Sequence, residues 1–313
     1  MFGFCFVFAW FFVGANINAS ANINTNADHP IHIDYDIDGL EQEWNQCECI
    51  REVITEWSSQ VHKNLNIKLN DVVFYPFGGA DVVYPSSFFP YFKKLVIIGL
   101  EPTGTAFSLN NKDGVVSNLR QLFTRGFFVT RDMELFKTSG VLTVMLIQLK
   151  KIGATKIEYV LYKENGYKHL KINFVLDKIA REIVYIQANL RDENYNRWGK
   201  LFDAYSCFTL YLKSASCVLH QPGFDKIRLV LEQKANTIFQ DDTGFTFAWI
   251  KKYNYSYNLF GAYYEPYELS GLTEFFQQDL KEAYENTDTV LLPFAIGYRS
   301  HRLPYNLLIA QKQ

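Results

Sequence analysis

Three polar clusters interrupt an otherwise apolar chain, and each holds residue types that could do chemistry. The first is Tyr75-Pro76-Phe77-Gly78-Gly79-Ala80-Asp81, followed at the end of the next apolar run by Leu100-Glu101-Pro102-Thr103-Gly104. A strand, a glycine turn and an acid closing the following strand is the layout of a Rossmann-like half-site for a nucleotide or S-adenosylmethionine. There, glycine lets a ligand approach the backbone and the carboxylate takes ribose hydroxyls. Gly78, Gly79, Asp81 and Glu101 are therefore candidate cofactor-binding residues. The full G-x-G-x-x-G pattern is absent and Pro85 and Pro90 fall between the two runs, so the cofactor stays unassigned. A plain turn at Gly78-Gly79, with Glu101 capping a strand end, accounts for the same residues.

The second cluster is Gln240-Asp241-Asp242-Thr243-Gly244. Adjacent carboxylates push one pKa upward, which suits acid-base work, and they also suit a hard cation. The D-x-D-x-D-G spacing of a calcium loop is missing, so no metal is assigned, and a tight turn with Asp side chains bonding the backbone is the competing reading. The third cluster is Lys213-Ser214-Ala215-Ser216-Cys217-Val218-Leu219-His220. Read as a helix, it sets Lys213, Ser216, Cys217 and His220 on one face, the makings of an activated nucleophile. Neither G-x-S-x-G nor S-x-x-K is present, and His220 before Gln221-Pro222 equally reads as a helix C-terminal cap. Asp241, Asp242 and His220 are the candidate catalytic residues, with Arg228 and Arg299 as expected neighbours. Arg299 closes the run Leu292 to Arg299, where it could bind an anion or pair with one of these acids.

The elements that must position these groups follow from periodicity. Leu40 to Lys63 carries apolar residues at steps of three and four and predicts an amphipathic helix. Asp71 to Phe77 and Lys94 to Leu100 predict strands, and Gly140 to Lys151 a short apolar helix. Alternation over Lys156 to Tyr162, Lys168 to Leu176 and Glu182 to Leu190, with Asn165-Gly166 between the first two, predicts an antiparallel meander. Asn196 to His220 and Phe224 to Phe239 read as helices, Phe245 to Tyr257 as strand-like, and Leu272 to Asn286 as a final helix. The expected fold is α/β or α+β: a mixed sheet flanked by helices, with room for a Rossmann-like first β-α-β unit and a meander in the middle. No repeat or linker divides residues 39–313, which read as a single globular domain of up to two intimate lobes.

Location narrows the chemistry. Phe2 to Val13 is apolar and uncharged, too short to span a bilayer as a helix, and runs into Ala19-Ser20-Ala21, an A-x-A cleavage site. Residues 1–21 are expected to be a signal peptide and residues 22–38 a flexible tail, giving a periplasmic or secreted protein with no integral membrane span after cleavage. Cys5 lacks a lipobox, so no lipid anchor is expected. Cys47, Cys49, Cys207 and Cys217 would remain, an even count that permits two disulfides outside the cytoplasm; a link from the Cys47/Cys49 helix to a Cys207/Cys217 helix is the attractive geometry. Free buried thiols are the alternative, and the spacing matches no structural zinc pattern.

With 31 basic against 33 acidic residues the chain has no electrostatic footprint for nucleic acid. Aromatic content is 17%, and Tyr253, Tyr255, Tyr257, Tyr263, Tyr264 and Tyr267 form a strip that could stack sugar rings or line a peptide groove. A half-buried strand with Tyr on its wetter face explains that strip equally.

The segments FYPFGGAD (Phe74 to Asp81), FFP (Phe88 to Pro90), GLEPTG (Gly99 to Gly104), LKSASCVLH (Leu212 to His220), FDKIR (Phe224 to Arg228), QDDTG (Gln240 to Gly244) and PFAIGYR (Pro293 to Arg299) resemble a group of exported bacterial proteins of unassigned function. The resemblance covers nearly all of the chain after the signal and implies a bacterial envelope setting and one domain. It implies no reaction, cofactor or partner. Three functions stay in view: an exported protein whose cleft binds a polar small molecule or glycan, a Rossmann-like nucleotide- or S-adenosylmethionine-dependent transferase, and a Tyr-rich adhesive or structural envelope protein.

Overall fold

A computed structural model describes residues 41–108, 112–125, 140–213, 215–263, 276–297 and 305–313. Helix α1 (Glu41–Asn64) leads into β1 (Val72–Pro76), α2 (Val83–Phe88), β2 (Lys94–Gly99), α3 (Lys112–Arg125) and α4 (Gly140–Lys151). The meander β3 (Thr155–Glu164), β4 (Tyr167–Leu176) and β5 (Ile179–Gln187) follows, and then short helical turns from Asp192 to Phe202. The second half alternates β6 (Phe208–Leu212), α5 (Asp225–Lys234), β7 (Ala235–Gln240), α6 (Phe247–Lys252), β8 (Tyr255–Gly261), α7 (Gln278–Glu285) and β9 (Asn306–Lys312).

Among the described residues nine strands join one mixed sheet in the order β3-β4-β5-β2-β1-β6-β7-β9-β8. The centre, β5-β2-β1-β6-β7, is parallel, and both flanks are antiparallel. Parallel strands need crossovers, which cover both sheet faces, so the central strands carry nearly unbroken apolar runs. On one face Val73, Tyr75, Leu95 and Ile97 pack against α1 to α4; on the other Phe74, Val96, Ile98 and Leu210 pack against Trp198, Phe202 and helices α5 to α7. The α/β architecture with its first β-α-β unit and middle meander is as the sequence predicts. Asn165 and Gly166, at φ 51° and 77°, take the left-handed turn that joins β3 to β4.

Three expected elements differ. Asn196 to His220 is not one helix: β6 sits inside it and residues Ala215–His220 form a 3-10 turn. Every residue of β6 is buried, so FTLYL shows no alternation, and a short apolar run cannot be told from buried helix by period alone. Phe224 to Phe239 is α5 running directly into β7, with no Gly or Pro at the Lys234-Ala235 junction to mark the change. Phe245 to Tyr257 holds α6, whose cap Thr246 accepts the Trp249 N–H, before β8 begins. Cys207 and Cys217 therefore lie on either side of a strand rather than on one helix, and Cys49 and Cys207 are free thiols. Within the Tyr strip, Tyr255 and Tyr263 are buried, with the Tyr255 hydroxyl donating to the Ala235 carbonyl; they serve the core rather than a stacking surface. Tyr264, Tyr267, Arg299, the start of the last predicted helix, and the signal and tail lie outside the described residues.

Candidate functional site

Parallel strands end at one edge of the sheet, so the turns that follow β1, β2, β6 and β7 are brought together there by topology alone. The parallel strands, counted in chain order, run 3-2-1-4-5 across the sheet, and their direction of winding reverses between β1 and β6. In open α/β sheets that reversal opens a crevice beyond the carboxyl ends of the strands. The turn after β1 bears Gly78, Gly79 and Asp81, the turn after β2 bears Glu101, Lys213 directly follows β6 and Asp241 directly follows β7.

Asp81 is 1% exposed and forms a 2.5 Å ion pair with the Lys213 ammonium, itself 1% exposed. The other Asp81 oxygen accepts the Tyr84 backbone N–H and fixes the first turn of α2. Lys213 lies 4.0 Å from the centre of the Tyr84 ring, with the Tyr75 and Tyr211 rings each at 6.0 Å, an aromatic cage that offsets part of the cost of burying a cation. Burial pushes the Lys213 pKa down, and the charges of Asp81 and Asp241 oppose that shift. The Tyr75 hydroxyl is pushed well above its ordinary value by burial and then by Asp81, Asp241 and Glu101. Three of the predicted acids thus act on one hydroxyl.

Glu101 is buried, and its carboxylate accepts the Tyr185 hydroxyl at 3.0 Å from the neighbouring strand β5. Burial and Glu101 together hold that hydroxyl in its protonated form. Gly99 makes this approach feasible: a Cβ there would collide with the Gly78 carbonyl and the Glu101 carboxylate. A Cβ on Gly78 would come within 2.8 Å of Ile97 and Tyr75, so that glycine serves the chain's own packing as well as the turn.

The Asp-Asp turn is built differently. Asp241 accepts the Thr243 N–H at 3.0 Å and the Thr243 hydroxyl, and Gly297, at φ 73°, lies directly against its carboxylate. The Asp242 backbone donates to Asn306 and accepts from Gln277, while its charge raises the Tyr284 pKa on the α7 side, behind the larger effect of burial. Gln240 closes the turn on both the N–H and the carbonyl of Phe245. His220 does meet this turn, as the sequence anticipates, but its Nε2 donates to the Gly244 carbonyl at 2.6 Å and lies 3.3 Å from that of Thr243. Burial keeps its pKa below the ordinary value. That ring nitrogen is committed to backbone. Arg228 lies beside His220 at the same end of the 3-10 turn, where it donates to the Leu219 carbonyl and to Asp225.

Two positioning residues escaped the sequence reading. Gln148 of α4 donates to the Ala80 carbonyl at 2.6 Å and accepts the N–H groups of Val82 and Val83, clamping the loop that carries Asp81. Tyr185 orients Glu101. The signal for Gln148 was present: one amide inside an apolar helix, GVLTVMLIQLKK, asks for a buried partner. Among the described residues no group of three or more His, Cys, Asp and Glu side chains could hold a metal, and no helix is long and apolar enough to cross a membrane. No family model matches the chain, and neither a curated protein nor a solved structure matches it.

Proposed function

We propose that the chain binds a small molecule bearing vicinal hydroxyls, either a free sugar or the ribose of a nucleoside, at the carboxyl edge of β1 and β2. The observation that carries this reading is the reversal of strand order between β1 and β6 with a buried carboxylate, Glu101, ending β2. A carboxylate accepts two hydroxyl donors side by side, and the Tyr185 hydroxyl pre-orients this one. The buried Asp81–Lys213 pair and the Gln148 clamp hold the neighbouring loop rigid, which lowers the ordering cost of binding. The apolar segment Phe2 to Val13 with Ala19-Ser20-Ala21 supports export, and an exported protein meets sugars more readily than cytosolic cofactors. The strand order also favours a second reading, a Rossmann-like transferase.

Calorimetric titration of a monosaccharide panel, adenosine and S-adenosylmethionine into wild-type protein and Glu101→Gln separates the two. Binding of a monosaccharide, weakened about tenfold or more by Glu101→Gln, supports the first reading. The same pattern with S-adenosylmethionine supports the second. Failure of every probe at millimolar concentration, or binding indifferent to Glu101→Gln, overturns the site.

A further inference from the structure

A cavity of about 260 Å³ lies away from this edge, on the sheet face over β2, β4 and β5, and is closed on one side by the segment Lys200 to Tyr205. We propose that it is a second binding site, for a small oxyanion that also carries a hydroxyl group, a sugar phosphate or a hydroxy acid with the bulk of a single sugar. The inference does not rest on the ligand reading of the β1 and β2 edge.

Charge supplies the oxyanion half. Glu182 holds two ammonium groups at once, Lys94 at 2.9 Å through one oxygen and Lys171 at 3.0 Å through the other. Each lysine keeps donors that a single carboxylate cannot satisfy, since an ammonium carries three. Lys200, which is exposed, brings a third cation to the lining, against the second acid, Glu164. Three cations against two carboxylates leave the lining one positive charge in excess, which favours an anionic occupant.

The hydroxyl half rests on His169. It lines the cavity at 2% exposure, and its Nε2 lies 3.3 Å from the Glu164 carbonyl, which can only accept. That nitrogen therefore carries the proton and Nδ1 is left as an acceptor. Nδ1 has no hydrogen-bond partner among the described protein groups, the condition under which a donor gains most. Burial holds the ring neutral, in keeping with an acceptor. Tyr162 stacks on His169 with ring centres 4.8 Å apart, and Tyr205 lies 5.6 Å from the Lys94 ammonium; their rings give the cavity flat apolar walls suited to a sugar-like skeleton. The volume falls below the roughly 300–1,000 Å³ of sites for drug-sized ligands, which limits the occupant to one ring or a short chain.

The test is calorimetric titration of ribose 5-phosphate, gluconate and inorganic phosphate into the full chain and three variants, Lys200→Met, His169→Phe and Glu101→Gln. Lys200→Met alters an exposed side chain, so its fold is secure; His169→Phe keeps the stacking ring and is checked by circular dichroism. Ribose 5-phosphate binding better than gluconate identifies a phosphate site, and the reverse a carboxylate site. In either case Lys200→Met is expected to weaken binding about fivefold or more. His169→Phe should weaken the hydroxylated anion and spare inorganic phosphate; any sugar binding lost in Glu101→Gln belongs to the β1 and β2 edge, and the component that Lys200→Met weakens should survive that change. The proposal is overturned if neither hydroxylated anion binds at millimolar concentration, or if both Lys200→Met and His169→Phe leave the affinity intact.

Discussion

The Asp81–Lys213 pair and the Lys94–Glu182–Lys171 triad use the same chemistry at different depths. At the carboxyl edge the two side chains are 2% and 0% exposed; in the cavity the three are 32%, 23% and 38% exposed. Water decides what each can do. A buried pair gives up hydration that its attraction barely repays, so its value lies in holding one arrangement of the loop after β1, and its loss leaves a stranded charge. The wetter triad gains little stability, but its ammonium groups can still turn toward an incoming anion. One cluster fixes geometry, and the other stays open to exchange.

Breaking the buried pair should give the largest effect. Lys213→Met strands the Asp81 carboxylate and is expected to cost about 3–5 kcal/mol in urea unfolding, with Asp81→Asn added to it recovering part of the loss. Recovery in the double variant would tie the cost to the uncompensated charge; a loss that persists undiminished would tie it to packing of the Lys213 stem against Tyr84.

The buried cluster should also show itself in alkali. Tyr75, Tyr185 and Tyr211 have folded pKa values raised by burial above their ordinary 10.0, so their contribution is whole below pH 10 and is lost as pH rises through the folded values. Lys213, lowered by burial from 10.5, runs the other way: its contribution is whole above pH 10.5 and is lost as pH falls through its folded value. With three groups against one, the melting temperature should fall steeply above pH 10. Tyr211→Phe should make that fall shallower. Its hydroxyl is buried without a partner, so at pH 8 the change should cost about 1 kcal/mol or less.

The triad should answer at the acid end, and weakly. Burial alone would raise the Glu182 carboxyl, but the hydrogen bonds from Lys94 and Lys171 outweigh it and hold the pKa below its ordinary 4.5. Its contribution is therefore present above pH 4.5 and lost as pH falls through the folded value. Glu182→Gln is expected to cost about 1 kcal/mol or less at pH 7, and less again in 1 M salt. A larger, salt-insensitive loss would make the triad a second structural pair and erase the contrast.

How legible these features were depended on what each residue had to satisfy. The meander could be read because β4 alternates almost cleanly between buried and wetter positions and Asn165-Gly166 accepts a positive φ. The acids could be read as a site because Asp81, Glu101 and Asp241 each end or follow an apolar run, and parallel topology carries such ends to one edge. β6 and β7 were lost to helix because burial on both faces removes alternation, and with β6 went the true role of Lys213: a cation at a strand end is invisible until the strand is found. Nothing local marks Tyr185 as the partner of Glu101, since that contact depends on β5 lying beside β2.

β3 closes one end of the sheet, and ten residues of extended chain there could template the addition of a foreign strand. Its sequence, TKIEYVLYKE, sets Lys156, Glu158, Lys163 and Glu164 along that rim, and the register breaks between Thr155 and Glu158, where Lys156 takes a φ of 51°. Charge and a kink of this kind discourage edge-to-edge fibre growth. A chain this rich in aromatic residues, crowded at high local concentration, would owe its colloidal behaviour to those few rim positions more than to any feature of its core.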